Sequence, residues 1–417
     1  MHAHLILFVT FIKVPGGVIY SGYGGLMFSF KKFLDVQDNK QGLLYRAYYA
    51  FFFSGMMSNI LGSILPSLIS ERGLSYSFQG TLLSINQIGN LLAVWLSGFL
   101  PFAIGRKKST CIMGSGIVIG FLIMVLTGNP VALLLAFVCL GVGRGTMSNI
   151  TNVVVGQYAG NKATGLNLLH ASFAVGAFIG PFLFVLCGES RWRIPAMIIA
   201  GGMGSALVLF EASELSDRKE SKAKDDSSLP RAPSFWINTF ILFCYLCGES
   251  TFMGWLVTYL MNQGIFPSVL ANAMSAFLWL MILISRLSTA AASRKIRKEK
   301  IILFLGSSML IFTTLLVNTT SSVLAAVSVL GIGLSMGGIY PTVLSTNEKR
   351  FTESTVATGT CIAVATIGAV VMPSIVGYIA DNVSMNFALK SILIPLSVMV
   401  VLMIIKLVLA LRAAKKS

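Results

Sequence analysis

Apolar runs of about 18 to 28 residues recur along this chain from Arg46 onward, each closed by glycine, proline, asparagine or a cluster of charges. Twelve can be counted, at 46–69, 77–103, 109–127, 131–158, 164–187, 193–212, 235–262, 267–291, 300–317, 321–346, 355–380 and 385–411. Runs of this length fit a transmembrane helix, which satisfies its own backbone hydrogen bonds where no water can. The predicted fold is an all-α, multi-pass membrane protein with twelve transmembrane helices. With 55% hydrophobic and 11% charged residues, an ordinary soluble domain is excluded. The net charge of +16 sits in short clusters between the runs, as membrane anchoring requires, so no nucleic-acid partner is expected.

The hydrophilic stretch 213–234, with Pro230 and Pro233, separates six spans from six and reads as a cytoplasmic linker. The expected organisation is an irregular cytoplasmic segment 1–45, a six-helix bundle 46–212, the linker, a second bundle 235–412 and a short tail 413–417. Residues 5–12 form an apolar run too short to span, and Met27, just before Lys31 and Lys32, is a second candidate start. Of the 31 basic residues, 23 fall on the side of the termini and four on the other, which predicts cytoplasmic termini in a cell (inner) membrane.

The halves resemble each other. Leu140-Gly141-Val142-Gly143 in span four recurs as Leu330-Gly331-Ile332-Gly333 in span ten. Ala163-Thr164-Gly165 opens span five and Ala357-Thr358-Gly359 opens span eleven, with a glycine-to-proline step deeper in each, Gly176 to Pro181 and Gly368 to Pro373. Two pseudo-symmetric six-helix repeats with a midplane site between them are the expected arrangement of a rocking carrier.

Span seven places a carboxylate inside the bilayer. Glu249, Phe252, Trp255 and Tyr259 fall in a wedge of about 120°. A charge at that depth costs at least about 2.5 kcal/mol, and such residues face a bundle interior or a water-filled path. Either a transport role or a structural pairing with a cation on another helix accounts for Glu249. Span two carries Gln79, Asn86 and Asn90 on one face, with Gln87 beside them. Span four carries Arg144, Ser148 and Asn152 in one line and Gly141, Gly145 and Asn149 in the next, and span five adds Asn167 and His170. Amides, a buried guanidinium and aromatic rings suit a sugar-like solute, whose hydroxyls take paired hydrogen bonds and whose C–H face stacks on rings. The same residues can also hold a bundle together without any ligand. Arg286 in span eight lies nearer the cytoplasmic end and fits a snorkelling role. The six cysteines lie within or beside apolar runs and read as small packing residues. Metal-ligand spacings, phosphate-binding glycine loops and nucleophile elbows are missing, so neither enzyme activity nor a cofactor is expected.

The chain is similar to the major facilitator superfamily, and within it to fucose-permease-like sugar transporters, over nearly its whole length from Arg46. Gly98-x-x-x-Phe102-Ala103-Ile104-Gly105-Arg106-Lys107 resembles the superfamily's gating-loop signature, with Phe102 where aspartate is usual. Gly141-x-Gly143-x-Gly145 leading to Asn152, Asn167 to His170 leading to Gly180-Pro181, and Gly248-Glu249 leading to Gly254-Trp255 and Tyr259 resemble the sugar-permease branch. The resemblance implies a monomeric transporter in membrane lipid. It also places acidic residues in spans one and four, where this chain has Gly62 and Ser148 or Thr146. A proton-coupled symporter would then need Glu249, with His170, in their place; a facilitator or antiporter would not. Two further readings stay open: an efflux carrier for an amphiphilic molecule, and a transporter-like membrane protein that does not transport.

Overall fold

The computed structural model describes residues 41–97, 100–160, 162–213, 232–347 and 355–414. The amino-terminal segment, Gly98 of the loop signature, most of the linker and the last residues of the tail lie outside the described residues. Twelve spans follow in order: α1 (Gln41–Arg72), α2 (Tyr76–Leu96), α3 (Arg106–Leu126), α4 (Pro130–Tyr158), α5 (Lys162–Cys187), α6 (Arg193–Glu211), α7 (Pro233–Asn262), α8 (Ser268–Ala292), α9 (Lys298–Asn318), α10 (Ser322–Leu344), α11 (Thr355–Asn382) and α12 (Met385–Lys390 continuing as Leu393–Ala414). Eleven of them are long and apolar enough to cross a membrane. The twelfth, α2, has its hydropathy lowered by Gln79, Asn86, Gln87 and Asn90. Large apolar side chains such as Leu126, Leu186 and Ile394 stand exposed on the outer faces, as lipid contact allows.

Helix starts follow local chemistry. The Ser75 hydroxyl accepts from the Phe78 N–H at 3.1 Å, and the Asn129 side chain accepts from the Val131 N–H at 2.9 Å, while Pro130 and Pro233 occupy positions that need no amide hydrogen. One core joins Leu44, Leu82, Phe121, Phe137, Phe184 and Phe210 from α1 to α6. The other joins Phe235, Leu278, Met309, Met336, Met372 and Met399 from α7 to α12.

The repeated glycines seat equivalent helix pairs. A Cβ at Gly141 of α4 would stand 2.0 Å from the Asn86 carbonyl oxygen of α2, and one at Gly333 of α10 would stand 2.7 Å from that of Leu278 in α8. Likewise Gly176 of α5 abuts the Phe52 carbonyl of α1 at 2.0 Å, and Gly368 of α11 abuts the Phe243 carbonyl of α7 at 2.4 Å. Only a residue without a side chain permits these backbone approaches, so the sequence repeat is a repeat of packing.

Between the halves, α2 meets α11 and α5 meets α8, again a pair related by the repeat. The first contact is made of glycines: Gly80 lies against the Pro373 carbonyl and Gly377 against the Tyr76 carbonyl, each 2.4 Å from a would-be Cβ. The second is aromatic, with Phe173 against Trp279 at 5.5 Å and Phe178 and Phe182 around Phe277 at 6.1 and 6.3 Å. Asn59 ties α1 to both partners, donating to the Ala177 carbonyl at 2.9 Å and accepting from the Ser275 hydroxyl at 2.9 Å. Gly62 lies against the Met253 carbonyl, and Ser84 and Ser374 share a hydrogen bond at 2.7 Å. Apart from Phe173, just short of the middle of α5, these contacts lie in the half of each helix distal to the chain termini, so the molecule is closed on that side.

Candidate functional site

Behind the distal closure sits a pocket drawn from both halves. Its walls are Ser58 and Leu61 of α1, Leu83, Asn86 and Gln87 of α2, Arg144 of α4, Ser250, Met253 and Gly254 of α7, and Pro373 of α11. A cavity of about 40 Å³ holds a few waters and is smaller than a hexose, so a solute requires its walls to part.

Of the charged groups within the spans, Arg144 lines the pocket, and Glu249 adjoins its wall residue Ser250 in the chain. The Arg144 guanidinium donates to the Gln87 side-chain carbonyl, which turns the neutral amide of α2 toward α4. Glu249 lies in electrostatic range of Arg144 from the first half and of Arg286 from α8, while the Tyr245 hydroxyl one turn before it donates to the Met336 carbonyl of α10 at 3.2 Å. Neither arginine stands within 4.0 Å of a carboxylate among the described residues. Arg286 also lies in electrostatic range of His170 of α5.

Helix direction explains why Arg286 belongs to this group. Counting from the distal ends, Glu249 lies about 20 Å deep in α7 and Arg286 about 27 Å deep in α8, at 1.5 Å per residue. Side chains lean toward the amino end of their own helix. Because α8 begins on the distal side and α7 on the opposite side, the two side chains lean toward one another. Arg286 is half-buried, and this lean points it away from the nearer end of α8.

The other residues singled out in the sequence are distributed unevenly. Asn86 lines the pocket and donates to the Phe137 carbonyl of α4 at 3.2 Å. Asn90 packs beside Gly145, whose Cβ would stand 2.9 Å from its side-chain oxygen. Asn149 is exposed and donates to the Ser97 hydroxyl at 2.6 Å, while Asn152 donates back to the Ser148 carbonyl of its own helix at 2.7 Å. His170 is exposed, with the Phe51 ring edge-on at 5.6 Å.

On α7 the face turned to the first half is Ser250, Met253 and Gly254, whereas Phe252 and Tyr259 are buried in the second bundle, the Tyr259 hydroxyl donating to the Leu316 carbonyl at 3.3 Å. Trp255 is fully buried near the distal gate, edge-to-face with Tyr76 of α2 at 6.2 Å. In the loop after α2, Gly105 takes a φ of 89°, which a side chain would strain, and Arg106 then opens α3. Arg106 reaches the Gln157 side chain at 3.4 Å and Lys107 lies 3.8 Å from Glu211.

Gln87, Ser58 and Tyr245 enter the site without having been picked out for it. Gln87 sits one position from Asn86, and Tyr245 precedes Glu249 by one helical turn, so both spacings were visible. Nothing in the sequence distinguishes Ser58 from the other serines of α1.

Two pseudo-symmetric helical bundles closed around a charged central pocket define a membrane carrier. Residues 47–363 match the Major Facilitator Superfamily, and the chain belongs to that family of transporters, which are not enzymes. Among its relatives, Bypass of stop codon protein 6 of Saccharomyces cerevisiae is 24% identical over 80% of this chain and 76% of its own. The glucose/mannose transporter GlcP of Bacillus subtilis is 22% identical over 79% and 86%. A crystal structure of a bacterial homologue of the human lysosomal transporter Spinster superposes with a TM-score of 0.72 at 11% identity, covering 88% of this chain and 97% of that one.

Proposed function

We propose that the protein moves a sugar or a similar small polar solute across the cell membrane by alternating access, as a monomer, with both termini in the cytoplasm. The observation that carries this reading is the pocket itself, whose polar wall of Asn86, Gln87, Arg144 and Ser250 draws on both halves just behind the closed distal side. Parting α2 from α11 and α5 from α8 would expose the same residues to the opposite face. The similarity to a glucose/mannose transporter supports the sugar class. The 23 basic residues on the side of the termini support the orientation, which places the closed distal side outward.

Glu249 is the acid through which a proton gradient would act, since the positions that the sugar-permease resemblance makes acidic in α1 and α4 are Gly62 and Ser148 or Thr146. Uptake of a panel of monosaccharides into proteoliposomes, with and without a pH gradient, tests both parts. Accumulation of a panel member supports the carrier, and dependence on the gradient supports the proton.

A further inference from the structure

We infer that Ser58 of α1 is a solute-binding residue, whose hydroxyl reads one particular hydroxyl group of the solute. The inference rests on the reading of the central pocket as the solute site and narrows it. Of the buried side-chain polar atoms without a hydrogen-bond partner among the described residues, the Ser58 hydroxyl alone belongs to a residue that lines this pocket. Serines inside these helices bond back to a carbonyl of the preceding turn, as Ser328 does to Leu324 and Ser335 to Gly331, each at 2.7 Å. Ser58 makes no such bond. A buried hydroxyl left unpaired is costly, and a solute that meets it recovers the loss.

The structure also gives Ser58 a counterpart. The step along the chain that carries Gly176 to Gly368 and Pro181 to Pro373 carries Ser58 to Ser250 and Leu61 to Met253, and all four of these last residues line the pocket. The two repeats thus contribute equivalent positions of α1 and α7 to one site. The serines differ in what they have left to offer: Ser250 donates to the Cys247 carbonyl of its own helix at 3.4 Å, whereas Ser58 is uncommitted. Arg144, on the same pocket, has one N–H on Gln87 and is a donor only. A solute hydroxyl both donates and accepts, so it can meet the guanidinium and Ser58 together, whichever way the serine hydrogen turns. A deoxy position can meet neither.

Deoxy sugars test this. Glucose, mannose and galactose, each with its monodeoxy derivatives, are titrated against the purified full-length protein by calorimetry. For at least one sugar, one derivative should bind the wild type about tenfold more weakly than its parent, the worth of one hydrogen bond. In Ser58→Ala the parent should fall to about that level while that derivative binds as it does to the wild type, and Ser58→Thr should restore part of the difference. Ser54→Ala removes a fully buried hydroxyl that is equally unpaired but does not line the pocket, and it should bind like the wild type. Neither alanine variant should melt below the wild type, since no bond is lost. Parent affinity unchanged in Ser58→Ala but lost in Arg144→Gln overturns the role of Ser58 and leaves the solute site standing. A loss in Ser58→Ala equal for the parent and every derivative also overturns it. Affinity unchanged in both variants, or a folded wild type that binds no sugar of the panel, overturns the sugar site and the role of Ser58 with it.

Discussion

The carboxylate of Asp381, at the end of α11, accepts hydrogen bonds from the backbone N–H groups of Ser77 at 2.7 Å and Tyr76 at 3.0 Å, in the first turn of α2. An acid from one half thus caps a helix of the other. The first N–H groups of a helix have no partner within it and carry the positive end of its dipole, so this contact stabilises the distally closed state and is lost when the halves part. Its worth, for an exposed cap, is about 1 kcal/mol.

Asp381→Asn should therefore raise the population of the distally open state several-fold. A cysteine introduced by Ser374→Cys, half-buried at the α2–α11 contact, reports this by its rate of labelling with an impermeant thiol reagent. Faster labelling in the Asp381→Asn background is expected; an unchanged rate would show that the cap does not bias the gate.

Gly80→Ala and Gly377→Ala should slow transport with little loss of expression, because each added Cβ would meet a backbone carbonyl of the other half at 2.4 Å and hold the distal gate apart. Gly201→Ala, where no atom stands within 4 Å, is the control and should transport normally.

Asn59→Ala should destabilise the protein by about 1–3 kcal/mol. The fully buried amide joins α1 to α5 and α8, and its loss leaves the Ser275 hydroxyl and the Ala177 carbonyl without their partner. A fall in the melting temperature of the purified protein is the readout, and Asn59→Asp should not restore it.

Glu249→Gln should abolish accumulation driven by a pH gradient while leaving solute exchange partly intact, because the amide keeps the shape of the acid but cannot load a proton. Counterflow and gradient-driven uptake measured in the same vesicles separate the two. Accumulation equal to wild type would remove Glu249 from coupling.

Much of the architecture is legible in the sequence because the bilayer imposes it: the apolar runs end within a few residues of the helices, and even α2 is found despite its amides. The glycine repeats mark the helix pairs that approach most closely. The rotation of each helix is less legible. Glu249, Phe252, Trp255 and Tyr259 share a wedge, yet Phe252 and Tyr259 pack within the second bundle while Ser250, Met253 and Gly254 face the first. Periodicity defines a face without saying which neighbour it meets. The lean of Arg286 is hard to read for a related reason, since its distance from the helix end says nothing of the direction in which its side chain leans, which depends on which way α8 runs.

The central claim is that a solute crosses through the pocket lined by Arg144 and by Ser250, the residue next to Glu249. Uptake of a panel of sugars and their acids into proteoliposomes holding the wild type, Arg144→Gln or Glu249→Gln, each checked for insertion and monodispersity, tests it most directly. The account predicts at least one solute that accumulates with the wild type, loses uptake with Arg144→Gln and loses gradient dependence with Glu249→Gln. A solute carried at the wild-type rate, with unchanged gradient dependence, by both variants would contradict it.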